Sequence, residues 1–184
     1  AFGRVFREQG LGMGSARVGF RVWQVYWAHV CLFIAIAATM VVLNAMFPEG
    51  DRNYVNQLNL GHFFDRPMEN LVGILTLTYV PNYFDILPMY IVILVMMPLM
   101  VFLARIHVLL VVAASLGVWL AANFELLNLP AEPWSDRKWF FNPFGWQLVF
   151  YTGFALMSGW FRPPPVDKRL FWTAVVIVLV IVPF

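Results

Sequence analysis

Three polar side chains stand at the start of long apolar segments. Asp85 comes directly before the apolar residues 86–104, and Asn142 and Gln147 lie at the beginning of another apolar run, residues 144–161. A segment that only has to cross a bilayer does not need polar groups there, because polar side chains in or near the hydrocarbon are costly. A carboxylate or an amide at a membrane surface can orient a substrate hydroxyl. These positions therefore predict a functional site at the ends of the two segments.

Helix capping is the alternative explanation for Asp85 and Asn142. Both residue types accept hydrogen bonds from the first backbone N–H groups of a helix. Proline fits the first helical turn, where Pro88 and Pro143 stand. A capping carboxylate can still orient a substrate, so the two roles are compatible. Gln147 lies one turn inside its segment and has nothing to cap, so its buried amide needs partners on another helix or on a ligand.

Two arginines and a histidine share the helix predicted for the first apolar segment. Arg17 and Arg21 are four residues apart and hence on one face, and His29 follows two turns beyond Arg21. With the aromatic residues that follow them, the arginines suit an anchor at the membrane surface. The alternative is a cytoplasm-facing site for the phosphates of a nucleotide-bearing cofactor, since arginine binds phosphate well. His29 is either packed in the core or catalytic. Because it has no second ligand at helical spacing, no metal site is predicted.

Composition places the chain in a membrane. Of its 184 residues, 61% are hydrophobic and only 12% are charged, which is outside the range of soluble domains. Continuous apolar runs without alternation favour helices over a barrel. The sequence thus predicts an all-α, polytopic helical bundle in a single integral membrane domain, residues 1–184. About five spans are predicted, at residues 22–47, 86–104, 106–122, 144–161 and 170–184.

Three shorter stretches lie between these predicted spans or before them. Residues 70–79 are apolar but too short to cross a bilayer, which predicts an interfacial or re-entrant helix before the second span. Glycines in residues 10–15 predict a turn ahead of the first span. The three prolines at 163–165 predict a stiff spacer.

Charge distribution predicts the orientation of the spans. Lysine and arginine are in excess before the first span, in the short connection after residue 104 and in residues 162–169. The positive-inside rule puts these flanks in the cytoplasm, so the N-terminal end of the chain is cytoplasmic and the two long loops face outward. In a Gram-negative cell these outward loops would face the periplasm. The predicted partners are the lipid bilayer and other integral membrane proteins, with no nucleic acid.

The sequence resembles the OpgC family, membrane acyltransferases that succinylate osmoregulated periplasmic glucans. Three stretches carry the resemblance, in the order in which the family has them. The first is the arginine pair with the aromatic residues and histidine that follow it. The second is Asp85-Ile86-Leu87-Pro88-Met89-Tyr90, and the third runs from Trp139 to Leu148, with glycine at 145 where alanine is common.

The resemblance implies a reaction and a role for each candidate residue. An acyl group from cytoplasmic acyl-CoA, succinyl-CoA in particular, passes to a glucan hydroxyl on the periplasmic side. Arg17 and Arg21 would bind the donor's phosphates. Asp85, Asn142 and Gln147 would hold the acceptor or orient the catalytic base, and His29 is a further candidate catalytic residue. No metal is expected. The family's base is a histidine in its first span, which nothing in this chain matches, so it is expected upstream of residue 1.

Two other functions compete with this enzyme. An OpgC-like chain without the catalytic span would act as an inert accessory subunit of a larger inner-membrane complex. A transporter of acyl groups or glycans is also compatible with an intramembrane Gln147. The lack of paired halves in the sequence counts against transport.

Overall fold

A computed structural model describes residues 2–47, 53–162, 165 and 167–181 of this chain. Within these residues the secondary structure is helical, and one isolated bridge between Pro130 and Lys138 is the only β-type pairing. This confirms the all-α prediction. The helices are α1 Phe2–Glu8, α2 Gly10–Met46, α3 Tyr54–Gln57, α4 Gly61–Asp65, α5 Pro67–Thr76, α6 Ile86–Ile106, α7 Val108–Asn123, α8 Pro143–Met157 and α9 Lys168–Ile181.

The glycine-rich turn predicted at residues 10–15 is wrong. These residues form the first turns of α2, which begins at Gly10 rather than near residue 22. Gly10 alone among them has a positive φ, 82°, where the chain turns from α1 into α2. Gly14 is buried, and a Cβ there would overlap the ring of Phe6. The glycine at 14 thus allows α1 to pack closely on α2.

In the part of the chain that the structure describes, two helices are long and apolar enough to cross a membrane. They are α2, with 37 residues, and α6, with 21 residues. Within the most apolar 18-residue stretch of each helix, only 22% of the residues of α2 and 39% of those of α6 are buried. Helices in the core of a soluble protein are mostly buried, so this exposure is typical of surfaces that face lipid or other membrane helices.

The prediction of about five spans is not confirmed, because within the described ranges only α2 and α6 are long and apolar enough to cross a membrane. Helices occur at all five predicted places, but α7, α8 and α9 have 16, 15 and 14 described residues. At about 1.5 Å per residue they rise less than the roughly 30 Å of hydrocarbon. The short helix predicted at 70–79 is α5, which ends at Thr76 because Leu77 takes a left-handed conformation with φ 58°. Most of the proline spacer and the end of the fifth span lie outside the described residues.

Two hydrophobic cores position the candidate residues. The bundle core joins α1, α2, α6, α7 and α8, which pack as the pairs α1–α2, α2–α6, α6–α7, α6–α8 and α7–α8. Its buried members include Val18, Val25, Ile91, Leu94, Met97, Met100 and Tyr151. The loop core joins α2 to the segments that connect the long helices. Its buried members are Phe33, Ala37, Leu60, Ile74, Tyr79, Val80, Phe84, Ala131 and Trp139.

The loop between α7 and α8 is ordered by backbone pairing. Val80 N–H donates to the carbonyl of Ala131 at 2.7 Å, and Ala131 N–H donates to that of Arg137 at 2.7 Å. Trp139 N–H donates to the carbonyl of Leu129 at 2.9 Å. These bonds fold the loop back on itself and against the segment before α6. Both predicted signature regions, around Asp85 and around Asn142, are thereby brought to one end of the bundle.

Candidate functional site

Asp85 connects α6 to the beginning of α8. Its Oδ2 accepts a hydrogen bond from the backbone N–H of Phe141 at 2.7 Å, and the residue is 3% exposed. The prediction that it caps its own helix is wrong, because its side chain makes no capping bond. Its backbone angles, φ −79° and ψ −9°, are helical, whereas a capping residue is normally extended. Its Oδ1 is buried without a partner among the described residues.

Asn142 is the N-cap of α8, as predicted. Its Oδ1 accepts from the backbone N–H of Phe144 at 3.0 Å, and Pro143 takes the first helical position. Its Nδ2 donates to the carbonyl of Leu127 at 2.8 Å and to Oδ1 of Asn128 at 2.9 Å. Both ends of the amide are therefore occupied by the chain itself. Asn142 fixes the loop relative to α8.

Gln147 finds its partners on another helix. It is completely buried, and its Oε1 accepts from Ser115 Oγ on α7 at 2.6 Å. Its Nε2 donates to the carbonyls of Ser115 at 2.8 Å and Phe144 at 3.2 Å. Of the two sequence-based alternatives, a second helix or a ligand, the structure has the helix. This amide clasp joins α7 to α8.

His29 is completely buried where the two cores meet. It lies on the buried face of α2, one turn after Val25 of the bundle core and one turn before Phe33 of the loop core. Neither ring nitrogen has a hydrogen-bond partner among the described residues. Buried polar groups are almost always paired, so such an exception calls for an explanation.

The structure brings His29 and Asp85 to the same part of the molecule. The ring of Phe33 packs on that of Phe84 at 5.5 Å between centroids. His29 is one helical turn from Phe33, and Asp85 directly follows Phe84. Two buried groups with unused hydrogen-bonding atoms thus flank one aromatic contact. No group of three His, Cys, Asp or Glu residues within the described ranges is placed to hold a metal ion.

Arg17 and Arg21 are exposed on α2. The guanidinium of Arg21 donates to Oε1 of Gln24 at 3.3 Å. A cavity of about 480 Å³ near the start of α2 is lined by two other arginines, Arg7 and Arg105. Arg105 donates to the carbonyl of Phe6 at 2.9 Å, which holds its side chain over α1. Sequence reasoning counted these arginines only as basic flanks, because nothing local places them at one cavity.

A buried carboxylate that sequence reasoning missed holds the loop between α7 and α8. Glu132 Oε2 accepts from Arg137 at 2.9 Å and from Asn59 Nδ2 at 3.1 Å, and its Oε1 accepts from Ser135 Oγ at 2.6 Å. Arg137 also donates to the carbonyl of Val80 at 2.7 Å. Glu132 and Arg137 together therefore link three separate stretches of chain, at Asn59, at Val80 and in their own loop.

The pKa of the Glu132 carboxyl group is lowered by its hydrogen bonds and by nearby charges, against the effect of burial. Burial alone raises the pKa of its carboxyl group, but the hydrogen bonds from Arg137 and Ser135, together with the charges of Arg137 and His62, outweigh burial. The net result is a pKa below the ordinary value of 4.5. A carboxyl whose pKa is lowered by folding stabilises the fold above its ordinary pKa, and this contribution is lost as the pH falls through the folded value.

We expect Glu132→Gln to lower the free energy of unfolding at pH 7 by about 1–3 kcal/mol, because it leaves the Arg137 charge without its buried partner. Because the variant has no carboxyl group at this position to protonate, it should also lose less stability than the parent protein when the pH falls below 4.5. Thermal unfolding of the purified protein in detergent at several pH values measures both effects.

Glu125→Gln is the matched control for this prediction. Glu125 pairs with Lys138 at 3.0 Å, but their side chains are 77% and 48% exposed. An exposed pair contributes only about 0–1 kcal/mol. Equal losses of stability in the two variants would contradict the structural role of Glu132.

The family model described as OpgC protein matches residues 1–184. No curated protein and no solved structure matches the chain. The apolar helices α2 and α6 agree with the membrane location that this family implies. The match covers the three stretches around His29, Asp85 and Asn142, and it extends over the full length of the sequence. On this match the chain belongs to the OpgC protein family.

Proposed function

We propose that this chain is part of a membrane O-acyltransferase that moves an acyl group, in particular succinyl, from cytoplasmic acyl-CoA to a hydroxyl of a periplasmic glucan. The family match is to membrane acyltransferase-like proteins and supports this reaction class. The proposed setting is the bacterial inner membrane, with several spans and the N-terminal end of the chain in the cytoplasm.

The observation that carries the proposal is the pair of buried groups with unused hydrogen-bonding atoms, His29 and Asp85. In the reaction the glucan oxygen bonds to the acyl carbon, the carbon–sulfur bond of the thioester breaks, and coenzyme A leaves as its thiolate. A general base takes the hydroxyl proton. The family resemblance assigns that base to a histidine in the family's first span, an element that residues 1–184 do not match. Asp85 Oδ1 and the His29 imidazole then orient this base or the acceptor.

The proposed donor site is at the basic end of the helix bundle, where α6 ends, whereas Asp85 lies where α6 begins. Arg7 lines the cavity of about 480 Å³ with Arg105, and it lines a neighbouring cavity with Arg4. Guanidinium groups suit the phosphates of acyl-CoA because their donors match phosphate oxygens. Arg17 and Arg21, exposed on the same helix as His29, are proposed as further contacts to these phosphates.

Two substitutions of Asp85 separate its structural role from its proposed role in transfer. Asp85→Asn keeps an oxygen that accepts from the Phe141 N–H, so its unfolding temperature should equal that of the parent protein. Because the carboxylate is lost, acyl transfer should fall by at least about tenfold. Asp85→Ala removes the bond as well and should lose about 1–3 kcal/mol of stability. Transfer is measured with labelled succinyl-CoA and glucan, using membranes that contain the full protein.

Asp136→Asn is the control, because Asp136 is an exposed carboxylate in the neighbouring loop. It should leave both stability and transfer at the parent level. Parent-level transfer by Asp85→Asn would remove Asp85 from the reaction, and lack of transfer by the parent protein would overturn the proposed function.

The non-catalytic subunit is a second candidate, and α9 favours it. Every described residue of this apolar helix is exposed or half-buried, so it packs on little within the described part of the chain. A helix from another membrane protein would cover that surface. Purification in a fixed ratio with a larger membrane complex, without any transfer activity, would support this candidate over the enzyme.

A further inference from the structure

A cleft of about 470 Å³ opens beside the loop core, away from His29. The short helices α4 and α5 form one wall, and the loop between α7 and α8 supplies the other. Its lining residues are His62, Asp65, Arg66, Glu69, Asn70 and Trp134. None of them belongs to the three stretches that carry the family resemblance.

Trp134 provides an aromatic surface in this cleft. It is 41% exposed, and its ring lies 4.9 Å from that of His62 and 5.2 Å from that of Tyr79, between centroids. The two neighbours hold the indole while leaving a large part of it accessible. A large exposed aromatic that is fixed in place is typical of binding sites, because little side-chain entropy is lost on binding.

Hydrogen bonds fix the two walls of the cleft. The Tyr79 hydroxyl donates to the carbonyl of Asn59 at 2.8 Å, and Asn59 Nδ2 donates to Glu132, two residues before Trp134. On the other wall, Asn70 Nδ2 donates to the carbonyl of His62 at 2.6 Å. These bonds tie the loop that carries Trp134 to the segment before α4, and they tie α5 to α4.

The polar wall offers donors and acceptors side by side. Arg66 and Glu69 form an ion pair at 3.6 Å with side chains 75% and 72% exposed, and Asp65 is exposed next to them. Such an exposed pair contributes little to stability, so its groups are free to exchange partners with a ligand. The carboxylates of Asp65 and Glu69 outnumber the guanidinium of Arg66, so the net charge of this wall disfavours an anionic ligand. An apolar ligand would leave these polar groups without partners.

We infer that this cleft binds an uncharged saccharide, with one sugar ring stacked on Trp134 and its hydroxyls bonded to Asp65, Arg66 and Glu69. A sugar ring has an apolar C–H face and an edge of hydroxyls that both donate and accept, which matches the two walls. The inference rests on the proposed function in one respect: it identifies the saccharide as a segment of the acceptor glucan. The cleft then holds the glucan chain while another of its hydroxyls is acylated.

Titration calorimetry with linear glucan oligosaccharides tests the inference on the full protein in detergent. Trp134→Ala should weaken binding by at least about tenfold, because the stacking surface is lost. Trp134→Phe should weaken it less. The double variant Asp65→Asn/Glu69→Gln changes only exposed groups and should weaken binding several-fold with unchanged thermal unfolding. Trp119→Ala, on the exposed surface of α7, is the control and should bind as the parent does.

Parent-level binding by both Trp134→Ala and the double variant would overturn the inference, as would a parent protein that binds no glucan oligosaccharide. The transfer assay is a separate measurement: Trp134→Ala should raise the KM for oligosaccharide acceptors and leave kcat unchanged. If the parent binds the oligosaccharide through Trp134 but transfers nothing, the saccharide cleft stands and the proposed acyltransferase does not.

Discussion

Replacing His29 with leucine should stabilise the protein and disable it at the same time. The imidazole is fully buried, and neither nitrogen has a partner within the described chain. A buried polar group without partners costs about 1–3 kcal/mol, so a leucine of similar size should raise the free energy of unfolding by about 1–2 kcal/mol. If the imidazole serves the proposed reaction, transfer should fall by at least about tenfold. Thermal unfolding and the succinyl-CoA assay measure the two effects on the same preparation.

Val25→Ala is the control for this prediction. Val25 lies one turn from His29 on the same face of α2 and is buried in the bundle core. Its truncation should lower stability by about 1–3 kcal/mol and leave transfer per folded molecule at the parent level. A His29→Leu protein that is more stable and fully active would make His29 a packing residue. A less stable one would mean that the imidazole has a partner.

Replacing Gln147 with alanine should cause the largest loss of stability. The substitution removes the amide clasp between α7 and α8, leaves Ser115 Oγ without its partner and opens a cavity. Together these effects should lower the free energy of unfolding by about 2–4 kcal/mol. Because the amide is occupied by Ser115 and Phe144, transfer per folded molecule should stay near the parent level. Thermal unfolding in detergent measures the stability.

The double variant Gln147→Leu/Ser115→Ala tests whether the loss comes from this clasp. Replacing both partners by apolar groups avoids a buried unpaired donor or acceptor, so part of the stability should return. Gln147→Ser leaves a polar group in place and should recover less than the double variant. A Gln147→Ala protein with parent stability and no transfer would instead assign the amide to a ligand.

Local sequence features predicted the helices and one cap correctly. Apolar runs gave helices at all five expected places, because each is uninterrupted by charge. Asn142 caps α8 with Pro143 behind it, since both signals act within a few residues of each other. The glycines at 10–15 were misleading as a turn signal, because among them only Gly10 has a positive φ and Gly14 leaves room for the Phe6 ring. The role of Gly14 depends on a helix that packs from outside the stretch.

The sequence by itself determined the helical class, the membrane character and the positions of the polar residues at helix ends. The tertiary structure decided what those residues contact. Asp85 has the sequence of a cap, yet it binds the Phe141 N–H that the folded loop brings to it. Gln147 meets Ser115, and Glu132 meets Arg137 and Asn59, through the packing of α7 on α8 and the path of the loops. Caps and turns depend on neighbouring residues. The contacts listed above depend instead on how helices far apart in the sequence are rotated against each other. A sequence without strong amphipathic periodicity does not specify that rotation locally.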